Sequence, residues 1–533
     1  MGTPKRQLTQ KARIAAASAA LVDILDRPVH VVPTCAGISK SKFVAGLQCA
    51  KRLYLQVHVP ELARITNQGI KMQGKAVGVL ARNLFRGGTL VDADHNHLAE
   101  AVRATRELMN NPEIPAIFEA TFRHDGVLVQ VDVLSRIRKT QEFRLIEVKS
   151  STGVKPYHLQ DLSIQRYVLR GVGICVTSNH LMHVNPDYVL SGHLDLSQLF
   201  RIEEIPSDRL LTRSAISEAL NEQYTVLSRP EPPHIEPGTF CTHPHRCEFF
   251  EHCHPAPDQD DVRSLPIPAD KIQMLLHYGM TSISELPTAM HLKLLWHFTD
   301  RQCSRIDAFR HARRCGLWLS PNLNRELVAI KYPVCFMDFE TVAPAVPRLV
   351  GMKPYEPIPI QWSVHRQAHE HGMLEHSAFL SPDCGDPRPV FIESLSKAVA
   401  GARTIVSYGQ YEHTLLTNLA RWLPEYAPKI SSIQSKLVNL LSIVRDNLYS
   451  PAFLGSYSIK RVLPALVPGM GYDDLAVKSG DQVAGIWEQL CAINLDGAEK
   501  ARLRQALLDY CERDTLALAN LVDVLRHACP HNS

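Results

Sequence analysis

The sequence predicts an α/β chain with two sheet-bearing domains joined by a helical connector, and three observations carry that prediction. Residues 128–167 hold two runs that alternate apolar and polar side chains, VQVDVLSRI and FRLIEVKSS, followed by HLQDLSIQRYVL at helical spacing. From Val334 a second set of strand-like runs begins, VCFMDFETV, IPIQWSVHR, MLEHSAFL and TIVSYGQ, interleaved with amphipathic helical stretches. The chain has 533 residues, beyond the size at which one hydrophobic core keeps growing. Composition places the boundaries: an N-terminal extension over 1–37, disordered or helical; a first domain over 38–256; a connector over 257–328; and a second domain over 329–533.

Composition narrows the class further. A hydrophobic content of 45% and a charged content of 21% are those of an ordinary soluble globular protein. The net charge of +4 is modest, but residues 1–55 hold nine Lys or Arg against two Asp, a local excess that suits a phosphate-rich partner. Thirteen cysteines, an odd number in a long chain, argue against a secreted disulfide framework and for the cytoplasm. No apolar run is long enough to span a membrane. No G-x4-G-K-S/T run is present, so any unwinding of a duplex would need a partner.

In chain order, Ile38–Leu55 reads as one amphipathic helix carrying Cys49. Helices are expected over Gln68–Phe85 and His97–Met109, with turns near Gly69, Gly74 and Gly87–Gly88. The HNH string at His95–His97 reads as turn and helix start, since the strand context of an HNH metal site is missing.

The chemistry concentrates in residues 128–167. Glu147 and Lys149 lie two apart on a strand and share a face, while Ile146 and Val148 point to the other. With Asp132 of the neighbouring strand on that face, two carboxylates and an ammonium converge at a sheet end. Mg²⁺ takes such carboxylates together with water and phosphate oxygens, and a nearby lysine steadies developing charge. Glu119 in IPAIFEATF offers a third carboxylate. The bland alternative is a set of solvated charges at a strand edge.

Downstream, FCTHPHRCEFFEHC spaces Cys241, Cys247 and Cys253 evenly, and Cys49 completes a set of four thiols. Such a set binds Zn²⁺ or an iron–sulfur cluster, and His243, His245 and His252 between the thiols keep a mixed Cys/His zinc site in play. The connector begins with IPADKIQMLLHYGMTSISELP, a helix, a turn at Gly279 and a second helix, the outline of a helix–hairpin–helix element or of a plain helical linker. In the second domain Asp338 and Glu340 share one strand face with Phe339 turned to the core. A long final helix from about Glu499 to His527 puts Tyr510 and Asp514 on one side.

These residues resemble two nuclease families. Asp132, then Glu147 and Lys149 as E-x-K, then a helix, resembles the PD-(D/E)XK core of restriction-endonuclease-like folds, in its RecB-like branch. The resemblance implies that Asp132 and Glu147, with Glu119, bind Mg²⁺ or Mn²⁺ and that Lys149 assists water attack. That branch also carries a glutamine and a tyrosine four apart on the following helix; here Gln165 and Tyr167 are two apart and off a common face. One cysteine before the strands and three after resembles the RecB-like nucleases with a 4Fe–4S cluster, including CRISPR-associated adaptation nucleases and a subunit of bacterial break-processing helicase–nucleases. It implies that Cys49, Cys241, Cys247 and Cys253 hold a cluster acting as a staple, although that family more often has two residues where this chain has five between Cys241 and Cys247.

The second domain resembles the DEDD exonucleases of the ribonuclease H-like fold, in the subgroup with tyrosine in the last motif. The resemblance implies two metal ions at Asp338, Glu340, Glu412 and Asp514, with Tyr510 orienting the water; the family has aspartate where this chain has Glu412. The whole arrangement resembles uncharacterised bacterial proteins that join these two parts. It implies a metal-dependent nuclease acting on single-stranded or end-bearing DNA, with a helicase or a repair or defence partner. The alternative is a nucleic-acid-binding or scaffold protein whose nuclease folds have lost catalysis.

Overall fold

The computed structural model of the chain describes residues 37–64, 68–92, 97–138, 140–254, 258–491 and 495–528. The N-terminal extension up to residue 36 and His95 of the HNH string lie outside them. Of the described residues, those within 1–66, 70–254 and 344–355 form one compact unit, and those within 67–69, 255–343 and 356–533 a second.

The first unit runs α1 (Lys40–Gln48), α2 (Ala50–His58), α3 (Gln68–Arg82), α4 (Leu98–Asn110), β1 (Ala116–His124), β2 (Val127–Arg136), β3 (Glu142–Lys149), α5 (Pro156–Gly171), β4 (Cys175–Val184), β5 (Phe200–Glu204) and α6 (Arg213–Leu227). β1, β2 and β3 form an antiparallel meander, β4 lies parallel to β3 after the α5 crossover, and β5 adds an antiparallel edge. β1 and β2 are joined by Asp125 and Gly126, both with positive φ (47° and 74°), the two-residue turn whose twist matches that of the strands it joins. One sheet face packs on α4, α5 and α6, the other on α3.

Two local expectations are corrected here. The stretch Ile38–Leu55 is not one helix: it breaks at Cys49, which is extended (φ −163°, ψ 122°) between α1 and α2. Gly69 and Gly74 are not turns but lie inside α3, where burial of Val77 and Ala81 outweighs the weak helix propensity of glycine. Gly87, at φ 79°, does turn the chain.

The second unit holds α7 (Ala269–His277), α8 (Ala289–Trp296), α9 (Asp300–Cys315), β6 (Val334–Val342), β7 (Ile358–Gln367), β8 (Leu374–Leu380), α10 (Arg388–Ala398), β9 (Thr404–Ser407), α11 (Tyr411–Trp422), β10 (Leu437–Asn439), α12 (Ile459–Leu466), α13 (Gly480–Leu490) and α14 (Gly497–Ala528), with shorter helical turns between. The strand order is β8-β7-β6-β9-β10; the first three are antiparallel, and β9 and β10 continue parallel to β6. Cys335, Met337 and Phe339 of β6 face a core with α10 and α11. Strand alternation therefore turns Asp338 and Glu340 to the opposite face, which α14 crosses.

The connector expected over 257–328 is part of this unit rather than a free-standing linker. Leu275, Leu292, Ile306 and Phe309 share a core with Tyr449, whose hydroxyl donates to the Ser264 carbonyl at 3.4 Å. Cys384 and Cys491 form a disulfide, while nine cysteines among the described residues are free. The odd cysteine count gave no warning of this cross-link, because pairing depends on which chain segments meet.

Candidate metal centres

In the first unit, strand alternation slips at two acidic residues. Ile117 and Ala120 on β1, and Val131 and Leu134 on β2, face the same core, while Phe118 and Val133 face the other. The slip falls in step on both strands, so Phe118 still pairs with Val133 and Ala120 with Val131. Glu119 and Asp132 occupy the irregular positions. Glu119 has φ 55°, a left-handed conformation that a non-glycine residue adopts only at a cost. A cleft of about 490 Å³ opens there, with Gly74, Gly78 and Arg82 of α3 on one side and Glu119, Gln130 and Asp132 on the other.

Asp132 also marks where β2 leaves β3. The ladder between them ends at Val133 and Ile146, and the Asp132 Oδ2 instead accepts from the Val148 N–H at 2.7 Å. Glu147, only 2% exposed, is held by three donors: Lys40 Nζ at 2.7 Å and Lys149 Nζ at 2.9 Å on Oε1, and Gln165 Nε2 at 2.7 Å on Oε2. Lys149 is in turn paired with Asp161 on α5. Glu119 is paired with Arg82 at 2.6 Å, and Tyr167 points away, its hydroxyl 2.5 Å from Asp125 Oδ2.

The two central carboxyls diverge in acidity. Burial, then the neighbouring Glu147 charge, pushes Asp132 up to about 7. Burial acts on Glu147 in the same direction, but Lys149 and Lys40 outweigh it and hold that carboxyl far below its usual range. A site that keeps one carboxylate charged and leaves its neighbour protonated near neutrality is short of positive charge.

The second unit is shorter still. Asp338 and Glu340 on β6, Glu412 at the start of α11 and Asp514 on α14 are all within electrostatic reach of one another. Burial raises each of them: Glu340 to about 8, with Asp514 adding, Asp514 to about 6, and Asp338 well above the carboxylate range, with Asp514 and Glu340 adding. Glu412 is 3% exposed, and its Oε2 has no hydrogen-bond partner. Lys460 is the cation that bears on Glu340, Asp338 and Asp514, and its Nζ donates to the Tyr510 hydroxyl at 3.0 Å. Tyr472 donates to Asp514 Oδ1 at 2.5 Å. Cys511 Sγ lies 3.6 Å from Asp338 Oδ2, and Asp338, Glu340 and Cys511 each offer a ligand atom within 4.8 Å of the others.

The four thiols come from segments the fold brings together. Gln48, beside Cys49, donates to the Phe240 carbonyl at 2.6 Å and the His245 carbonyl at 2.9 Å, and Arg52 pairs with Glu248 at 2.8 Å. Cys247 and Cys253 share a small apolar cluster with Tyr54 and Leu55 of α2. Burial raises the Cys253 thiol, and Cys241 and Cys49 add to this; burial, with Glu248 and Cys253, pushes Cys247 up to about 11. The histidines between the thiols have other neighbours: His243 Nδ1 lies 3.0 Å from Thr242 Oγ1, and the His245 ring packs on Tyr157.

Several of these side chains carry no sequence signal. Lys40 belongs to no motif, and Lys460 and Tyr472 come from a stretch without clear periodicity. Asp161 was findable, being four residues before Gln165 on the same helical face. Cys511 sits inside the DYCERD run beside Tyr510.

Comparison with known proteins adds one family. Residues 335–458 match the model of a family described as a domain of unknown function, DUF2779. The DUF2779 stretch starts within β6 and takes in Asp338, Glu340 and Glu412, and it ends before Lys460, Tyr510 and Asp514. No curated protein is detectably similar to the chain. A solved structure titled "Crystal structure of SSO0001" aligns over 45% of this chain and 96% of its own, at 14% identity and a TM-score of 0.24, a likeness too low to carry an argument.

Proposed function

We propose that the chain is a metal-dependent nuclease that hydrolyses DNA phosphodiester bonds, acting on single-stranded or end-bearing DNA in the cytoplasm. In this reading the first unit is a RecB-like PD-(D/E)XK domain and the second a ribonuclease H-like domain with a 3′-5′ exonuclease-like centre. The observation that carries it is the second centre: buried Glu340, Glu412 and Asp514 gathered with half-buried Asp338, all raised by burial and three of them also by a neighbouring carboxylate, one orphaned Glu412 oxygen, and Lys460 as their nearby cation. Carboxyls are not gathered out of water unless protons or cations neutralise them.

The donor set fits a hard divalent cation, all oxygen but for Cys511. Asp338, Glu340, Glu412 and Asp514 would hold it in the second unit, and Asp132 and Glu147, with Glu119 beside them, in the first. When bound, Mg²⁺ or Mn²⁺ supplies Lewis-acid polarisation of the phosphodiester and neutralises its charge. The chain's own groups do the rest. Tyr510 keeps its proton, because burial and then Asp514 raise its pKa well above the usual phenol range, so its hydroxyl can orient a water. Lys460 steadies charge that develops at the scissile phosphate, and Lys149 does so in the first unit.

The thiol set fits a cluster. Cys49, Cys241, Cys247 and Cys253 would hold 4Fe–4S, whose contribution is a cross-link between the two ends of the domain. A tetrahedral zinc site with Zn–S of about 2.3 Å needs thiols about 4 Å apart. Cys241 and Cys49 both bear on Cys253, and Cys253 on Cys247, so the four sulfurs neighbour one another, with zinc as the alternative group. Anaerobically purified protein carrying iron and acid-labile sulfide supports the cluster, and zinc without iron contradicts it.

One observation favours the rival, a nucleic-acid-binding or scaffold protein. Glu147 is already saturated by Lys40, Lys149 and Gln165, as a carboxylate in a purely structural role would be. Degradation of end-labelled single-stranded DNA with Mn²⁺ separates the readings. The nuclease reading expects Glu147→Ala and Asp338→Ala each to remove the share of cleavage that its own centre contributes, and the double variant to lose more than the about 10–100-fold that loss of a supporting residue costs at a metal site. Wild-type protein that binds the DNA without cutting it, or cleavage that neither substitution alters, contradicts it.

A further inference from the structure

Outside both centres the second unit places two histidines and a glutamate together. His365 on β7 and His376 on β8 are direct cross-strand partners in the antiparallel ladder. Their rings stack at 4.6 Å between centroids, inclined by 29°. Glu512 approaches from α14, with its Oε1 3.7 Å from His376 Nδ1. One ligand atom from each of the three lies within 4.8 Å of the other two. Glu512 is two residues before Asp514, and at about 100° per residue on a helix it projects from a different side, so the trio is separate from the carboxyl centre.

The hydrogen bonds behind the rings fix which nitrogens are free. His365 Nδ1 is 2.8 Å from Thr515 Oγ1, His376 Nε2 is 2.9 Å from Ser363 Oγ, and the two hydroxyls are 2.8 Å from each other. Thr515 Oγ1 also reaches the Glu512 carbonyl at 3.0 Å. Each hydroxyl has one proton. The chain closes without conflict when both rings donate: His365 Nδ1–H to Thr515, His376 Nε2–H to Ser363, Ser363 O–H to Thr515, and Thr515 O–H to the Glu512 carbonyl. That arrangement leaves His365 Nε2 and His376 Nδ1 as bare lone pairs. A metal-ligating histidine is commonly held in this way, its second nitrogen donating to a fixed oxygen.

We propose that His365, His376 and Glu512 form a second type of metal site, which takes a borderline divalent cation, Zn²⁺ in preference to Mg²⁺, and fastens α14 to the β7–β8 pair. Two imidazoles and a carboxylate suit zinc, whereas magnesium selects oxygen alone. Zinc bonds of about 2.0–2.1 Å place tetrahedral ligand atoms about 3.4 Å apart, close to the 3.7 Å between Glu512 and His376. Three protein ligands leave the fourth position to water, and the His376 and Glu512 side chains, 27% and 43% exposed, let the ion in from solvent. The site stands independently of the nuclease reading.

The test is Zn²⁺ titration of the chelator-stripped full chain in excess Mg²⁺, for wild type, Glu512→Gln and Thr515→Val. The thiols and the other carboxyls are the same in all three, so the differences report this site. Wild type is expected to take up one more tight equivalent than Glu512→Gln. Thr515→Val, which removes the hydroxyl that supports His365 directly and His376 through Ser363 but no ligand atom, is expected to weaken that equivalent about 10–100-fold. X-ray absorption on the extra zinc should find nitrogen and oxygen neighbours at about 2.0–2.1 Å and no sulfur. Equal uptake and affinity in all three proteins, or a sulfur-only environment for every zinc bound, overturns the proposal. Matching melting curves in chelator establish that the variants are folded.

Discussion

At Glu340 the fold holds a carboxyl against its own chemistry. Its pKa rises from an ordinary 4.5 to about 8, through burial first and Asp514 second, and that of Asp514 itself rises from 3.8 to about 6. A raised carboxyl means that the folded chain binds more protons than the unfolded chain between the two values, so stability falls as pH rises through that window. For the metal-free protein the fall therefore spans pH 4.5 to about 8. Melting temperature measured in chelator should drop across this range, Glu340→Gln should flatten the drop, and Mn²⁺ should restore stability most at the alkaline end, since it binds only the folded form. A metal-free profile that is flat for wild type and variant alike contradicts the pH values given to this cluster. The residue types of this centre were legible: Asp338, Glu340 and Asp514 announce themselves by spacing. Lys460, Tyr472 and Cys511 were not, because a long-range neighbour leaves no mark on local pattern.

At the scale of elements, the strands were legible and their interruptions were not. Two-residue alternation marks β2 and β3, each with one more deeply buried face, and in β6 and β7 it separates an apolar face from a face whose polar side chains lie under α14. The slip at Glu119 and Asp132 defeats the same reasoning: both strands shift together, so the pairing survives while the faces exchange. Likewise no proline or glycine marks the break at Cys49. Glycine misleads in both directions, which a pair of substitutions makes measurable. Gly74 lies inside α3 with open space where a Cβ would go, so Gly74→Ala should raise stability by about 0.5–1 kcal/mol through helix propensity. Gly126 sits at φ 74° in the β1–β2 turn with the Tyr224 hydroxyl against the missing Cβ, so Gly126→Ala should lower stability by more than the about 1–2 kcal/mol of a left-handed alanine. Urea unfolding reads both, and equal shifts of the same sign would contradict the placement of Gly74 in a helix and Gly126 in a turn.

For the whole molecule, composition foresaw two sheet-bearing parts but not how the chain is shared between them. Residues 344–355, in the middle of the second domain as read from sequence, cluster with the first unit, where Leu190 and Met352 pair backbone to backbone at 3.0 Å. No helix among the described residues is long and apolar enough to cross a membrane. What unites the two units is a shortage of positive charge, met at Asp132 by a proton near neutrality and at Asp338, Glu340, Glu412 and Asp514 by several. A bound cation must displace those protons, because metal ligands bind deprotonated. The most direct measurement is calorimetric titration of Mn²⁺ into the chelator-stripped chain near pH 6.5, repeated in buffers of different ionisation enthalpy to count the protons released. The account expects at least one proton to leave for each ion bound, and both binding and release to shrink in an Asp338→Asn, Asp514→Asn variant. Binding without proton release, or no binding in the wild-type chain, would contradict it.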